Sequence, residues 1–134
     1  MYINIHHRHI YNFHNEEDLQ KEVVKYLQTT DLLFSCQGLE QMLDTDNKRI
    51  NAKKLGYKNG MPDIIIYSPN NTYNGLALEL KAPNGFGDMS KAQVEVLDQL
   101  ERESDYFCLA SNDFAEIVEI VTKYIHDVLC RKEF

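Results

Sequence analysis

Apolar residues recur along this chain with two periods, and together they predict the elements of a small mixed fold. Between Glu16 and Thr29, Leu19, Val23, Tyr26 and Leu27 fall on one helical face, and Asn15 stands where an N-cap is needed. A second helix is predicted from Lys91 to Glu103, with Ala92, Val96, Leu97 and Leu100 as its stripe and Ser90 and Gln93 at capping-box spacing. A third is predicted from Phe114 to Cys130. Its stripe is Phe114, Ile117, Val118, Val121, Ile125 and Leu129, and Asp113 and Glu116 repeat the capping spacing. Short apolar runs bounded by Gly, Pro and Asn predict strands at Leu32–Cys36, Asp63–Tyr67, Leu76–Ala82 and Tyr106–Ser111. Asn51–Gly56 reads as a further short helical turn.

The strand at Leu76, the helix at Lys91 and the strand at Tyr106 make a βαβ unit, whose strands should be parallel. The preceding pair is joined by the Asn70–Gly75 turn, short enough for antiparallel pairing. The expected fold class is α/β, a small mixed sheet flanked by helices. At 134 residues and 43% apolar, the chain suits a single domain, 1–134, with one core. No apolar run approaches the roughly 18 residues of a membrane span. The stretch Met1–His14 alternates apolar residues with His and Asn and lacks the apolar centre of a secretory signal. An intracellular protein, in cytoplasm or nucleus, is expected. Three scattered cysteines argue against a disulfide framework or zinc cluster, and Cys36 and Cys108 read as small core residues.

The net charge of −7 counts against a nucleic-acid partner when taken alone. Local charge changes the picture, because Lys48, Arg49, Lys53, Lys54 and Lys58 cluster in one segment. Such a cluster is either a solvated helix face or a hold on phosphates, and charge alone favours the solvated face.

Candidate chemistry lies in the run Leu76–Ala82. With a period of two, Leu76, Leu78 and Leu80 share one face, while Ala77, Glu79 and Lys81 share the other. Charge on a central strand is expensive unless it is paired or metal-bound; on an edge strand it would be an ordinary solvated pair. Asp63 opens the neighbouring strand after a Gly-Met-Pro turn and can approach Glu79. Two adjacent carboxylates imply a cation, and oxygen ligands suit a hard ion such as Mg²⁺. Lys81 beside it could hold a phosphate oxygen or a water. The histidines His6, His7, His9 and His14 match no zinc template. A flexible or edge-strand N-terminus is the simpler reading.

Gly60-Met61-Pro62-Asp63 followed by Glu79-Leu80-Lys81 resembles the PD-(D/E)XK nuclease motif. Glu17 and Gln20, Gly56–Gly60, Gly75–Lys81 and Ser90–Gln93 extend the likeness to the virus-type replication–repair nuclease family, VRR-NUC, over about Glu16 to Ile125. The resemblance implies a restriction-endonuclease-like core. It implies Mg²⁺, with Mn²⁺ able to replace it, bound by Asp63, Glu79 and the carbonyl of Leu80. It makes Lys81 the catalytic lysine, Gln93 a supporting residue and Glu17 the early acidic residue that could complete a second metal site. It also turns Arg49, Lys53, Lys54, Lys58 and Lys91 into candidate DNA contacts. Two departures stand out: the Gly-Arg turn of many members is replaced by Cys36–Met42 without arginine, and the glycine before the last strand by Ser104-Asp105.

The activity implied is that of a metal-dependent DNA endonuclease in repair or recombination, selective for branched DNA such as a four-way junction. A less selective nuclease and a non-catalytic DNA-binding or assembly module on the same fold are the alternatives; the presence of Asp63, Glu79 and Lys81 together disfavours the last. Paired cutting of a junction needs two sites, so a symmetric homodimer is expected. Tyr2, Ile3, Ile5, Ile10, Tyr11 and Phe13 could form an arm on a partner, or pack on their own core.

Overall fold

A computed structural model of the chain describes residues 2–3, 15–37, 43–82 and 89–129. Its elements are β1 (Tyr2–Ile3), α1 (Glu16–Leu27), β2 (Phe34–Cys36), α2 (Asp46–Lys54), β3 (Ile64–Ile66), β4 (Gly75–Leu80), α3 (Lys91–Ser104), β5 (Tyr106–Ser111) and α4 (Phe114–Ile125). The strands form one sheet in the order β1-β5-β4-β3-β2. β4 pairs in parallel with β5, as the βαβ unit requires, and antiparallel with β3. β1 adds a parallel edge to β5, with Tyr2 opposite Leu109. The histidines and the rest of the proposed arm lie outside the described residues.

Alternation along β4 sorts the molecule into layers. Leu76, Leu78 and Leu80 join Leu19, Val23 and Leu27 of α1 and Ile117, Val121 and Tyr124 of α4 in the main core. Ala77 faces the other way, packing with Leu97 of α3 and Cys108 of β5. The helices are capped as the sequence suggests at Asn15 and Ser90. At Asp113 the side chain accepts from the amides of Ala115 and Glu116.

Several boundaries differ from expectation, for local reasons. α1 stops at Leu27, where the hydroxyls of Thr29 and Thr30 donate to the carbonyls of Tyr26 and Leu27, each at 2.6 Å. α4 stops at Ile125 instead of Cys130, because Asp127 adopts φ 58°. Leu129 remains fully buried beyond that turn, whereas Ile125 is 40% exposed. The inward position is Tyr124, whose hydroxyl donates to the Ser68 carbonyl at 2.6 Å. Asp63 and Tyr67 flank β3 without belonging to it, although the Asp63 carbonyl accepts from Gln37 and the Tyr67 amide donates to Leu33. Cys108 is buried as expected, but Cys36 is exposed. Its place on β2, the edge strand, explains the difference.

The short helix is longer and earlier than predicted. α2 spans Asp46–Lys54, with the Thr45 side chain accepting from the Lys48 amide, and none of its residues is buried. At the other replaced position, Asp105 ends α3 with φ 60° and ψ 41°. This is the left-handed conformation where glycine is usual and Asp is among the few tolerated substitutes.

Candidate active site

β4 is a central strand, so the edge-strand reading of its charges fails: Glu79 is 2% exposed and Lys81 6%. Their partners come from both neighbours. Ile64 lies opposite Leu78 in the antiparallel ladder. One step further along that register, Asp63 falls opposite Glu79. The Leu80 amide donates to Asp63 Oδ2 at 2.7 Å, locking the carboxylate against β4. A strand residue presents its N–H and C=O to the same side, so the Leu80 carbonyl faces the Asp63 edge as well.

Glu79 is held from the other side. Gln93 Nε2 donates to Glu79 Oε1 at 2.8 Å. The same amide's Oε1 accepts from the Ser90 backbone at 2.9 Å, and Ser90 Oγ accepts from the Gln93 amide at 3.1 Å. Gln93 is therefore both the reciprocal half of a capping box and the anchor of a buried carboxylate. The turn before Asp63 is fitted to that helix. Gly60 has φ +86°, and a Cβ there would meet the Ala92 backbone at 2.6 Å. Only glycine allows both the turn and the approach.

Burial first, and the Asp63 carboxylate second, push Glu79 well above the carboxylate range, to about 9; the Lys81 ammonium opposes the shift, and Glu16 adds a smaller push upward. Glu79 Oε2 is buried and accepts no hydrogen bond from a donor group. Two facing carboxylates can bond only by sharing a proton or a cation. The chemistry of the donor set therefore fits a hard divalent ion held by Asp63, Glu79 and the Leu80 carbonyl. Among the described residues no three His, Cys, Asp or Glu side chains converge as a ligand set. Two carboxylates, a main-chain oxygen and water are what a Mg²⁺ site commonly uses.

These groups open into a cleft of about 850 Å³, walled by Glu16, Glu17, Gln20, Lys21, Val24 and Lys25 of α1, by Asn59–Met61, and by Ser90 and Gln93. Glu17 thus reaches the cleft, but its carboxylate pairs with Lys21 at 3.4 Å, and it is Glu16 whose charge is felt at Glu79. The sequence resemblance points to Glu17 and not to its neighbour Glu16. Its alignment four residues before Gln20, also in the cleft, was the available signal. Of the candidate DNA contacts, Arg49 and Lys53 line a second groove of about 380 Å³ with Tyr57 and Asn59. Asn59 borders both cavities. Lys54 lines a further groove with Asn47, Lys48, Ile50 and Asn51, and Lys58 is exposed; neither lines the cleft. The Lys91 side chain is 91% exposed, 3.9 Å from Glu95, and does not line the cleft.

A solved structure described as a VRR_NUC domain protein has the same fold, with a TM-score of 0.66 and 21% identity over 83% of this chain and 88% of that one. No curated protein matches in sequence. The family model described as the VRR-NUC domain matches residues 4–113, which include the whole of the site just described. The chain belongs to the VRR-NUC family of nuclease-type domains.

Proposed function

We propose that this protein is a Mg²⁺-dependent DNA endonuclease whose centre is Asp63, Glu79 and Lys81, with Mn²⁺ able to replace Mg²⁺. The observation that carries the reading is the pair of facing carboxylates lining an open cleft, a half-buried Asp63 just before β3 and a buried Glu79 on β4. Such a pair is costly in a fold that has no use for it.

A divalent ion at this site supplies Lewis-acid activation of water and of the scissile phosphate. The chain's own residues do the rest. Asp63 and Glu79 would hold the ion, the first oriented by the Leu80 amide and the second by Gln93. Lys81 sets a positive charge beside Glu79 without solvent screening, where negative charge grows on the phosphate in the transition state. Gln93 keeps one Glu79 oxygen occupied, so Oε2 would be the oxygen left for an ion. Glu16 and Glu17 stand at the rim and could serve a second ion.

The substrate is taken to be branched DNA, with Arg49, Lys53, Lys54 and Lys58 on its phosphates and Lys91 at the periphery. Continuity of the α2 groove with the cleft through Asn59 supports the inner members of that set. A homodimer would place two such sites on one junction, and light scattering tests it: a monomer mass with and without junction DNA removes paired cutting. The decisive assay incubates the protein with labelled junction, flap, duplex and single-stranded DNA, with Mg²⁺, Mn²⁺ or chelator. Metal-dependent cleavage, strongest on the junction, is expected. Binding with no cleavage under any metal favours the alternative, a DNA-binding module without catalysis.

A further inference from the structure

The cleft wall formed by α1 changes sign along its length. Its first turn brings Glu16 and Glu17 toward the Asp63–Glu79 pair; the next turns bring Gln20 with Lys21, then Val24 with Lys25. Glu17, Lys21 and Lys25 are four residues apart, so they form one row with steps of about 6 Å along the axis. That step is comparable to the separation of neighbouring phosphates on one nucleic-acid strand. Lys21 reaches back to Glu17 at 3.4 Å and Lys25 to Glu22 at 3.8 Å, and their side chains are 68% and 73% exposed. Exposed pairs of this kind are weak, so a phosphate can take either ammonium at little cost. The acidic end of the row adjoins the metal centre and the basic end leads away from it. A strand of phosphates anchored at a cation needs that order.

We propose that the strand to be cut runs along α1, with its scissile phosphate at Asp63 and Glu79 and the next two phosphates to one side held by Lys21 and Lys25. The inference rests on the nuclease reading above and adds the path of the strand. It differs from the α2 contacts, which line a separate groove that shares Asn59 with the cleft.

The test measures binding of a labelled junction and a duplex of the same sequence, with Ca²⁺ in place of Mg²⁺, over a range of salt. Each strand carries a single methylphosphonate, moved one position at a time. Lys21→Ala and Lys25→Ala should each reduce the salt slope by about one. One uncharged phosphate should weaken the wild-type protein but not Lys21→Ala, and its neighbour should do the same for Lys25→Ala. Lys123→Ala, on α4 and outside the cleft, should keep the wild-type slope. Wild-type slopes in both lysine variants, or losses that add at every phosphate position, overturn the proposal. If the wild-type protein cuts DNA while the variants bind unchanged, the strand path falls alone. If it binds neither probe, the nuclease reading falls with it.

Discussion

Two regions, one lining the cleft and one lining the groove that adjoins it at Asn59, differ in how they are held. Around Asp63 and Glu79 three short, specific bonds orient the site: Leu80 to Asp63, Gln93 to Glu79, Ser90 to Gln93. Glu79 and Lys81 are buried there, and the turn beside them is shaped around a glycine with no room for a methyl group. α2, by contrast, has no buried residue, and Ile50 is 53% exposed. Lys48 pairs with Asp44 just before the helix and Arg49 with Asp46 in its first turn, both on the exposed surface. Metal chemistry tolerates errors of a fraction of an ångström, whereas phosphate attraction acts at longer range and tolerates adjustment. The contrast predicts that mutations in the two regions fail in different ways.

The largest effects belong to the buried corner. Asp63→Ala, Glu79→Ala and Lys81→Ala should each lower the single-turnover rate by about a thousandfold or more with the circular dichroism spectrum retained, and double variants should lose little beyond the singles. Unchanged turnover in the Glu79 variant would falsify the site assignment. Next in size is Gln93. Gln93→Glu keeps an acceptor for the Ser90 amide but loses the donor to Glu79, so metal affinity should fall about 10- to 100-fold with the helix intact. Calorimetric titration with Mn²⁺ reads this directly, and equal affinity would mean that the glutamine is only a cap.

The third effect is on stability. Because Glu79 is raised in the folded state, the native protein holds a proton that the unfolded chain releases between the ordinary carboxylate range and about 9. Its stabilising contribution is therefore present at low pH and is lost as pH rises through that interval. Without metal, Tm should fall between pH 6 and pH 8.5. Glu79→Gln should flatten the dependence, and a divalent ion should raise Tm most at the alkaline end. A flat profile in the wild-type protein would show that Glu79 is ionised throughout. The smallest effects belong to α2. Lys53→Ala, Lys54→Ala and Lys58→Ala should leave stability within about 0.5 kcal/mol and each reduce the salt slope of DNA binding by up to one. Unaltered slopes in all three would make α2 a solvated surface.

The same contrast governs what could be read from the sequence. The alternation in Leu76–Lys81 placed three leucines on the core and Glu79 on the opposite face, as the fold does. Asp63 was legible because the Pro62 turn and the short following loop left one plausible pairing. α2 was only half seen: with no buried face it has no apolar period, and its true signal is Thr45 as a cap, with Asp46 in the first turn and Lys53 and Lys54 in the last. Cys36 was misplaced because an apolar run does not distinguish an edge strand from a central one. Glu16 was hidden among neighbouring acids, with only its spacing to Gln20 to mark it out.

The pairing that aligns Asp63 with Glu79 is also the shortest in range among the described strands. β3 and β4 are consecutive, whereas β1 meets β5 across most of the chain, Tyr2 against Leu109. Short loops close at lower entropic cost, so the β3–β4 hairpin is positioned to form early in folding. At that stage water still separates the two carboxylates and weakens their repulsion. Keeping both ionised becomes costly only when the rest of the fold arrives and excludes water. That penalty therefore falls late on the folding route, and a cation that relieves it acts mainly by slowing unfolding. For this protein the metal would be a kinetic lock on the finished fold more than a template for building it.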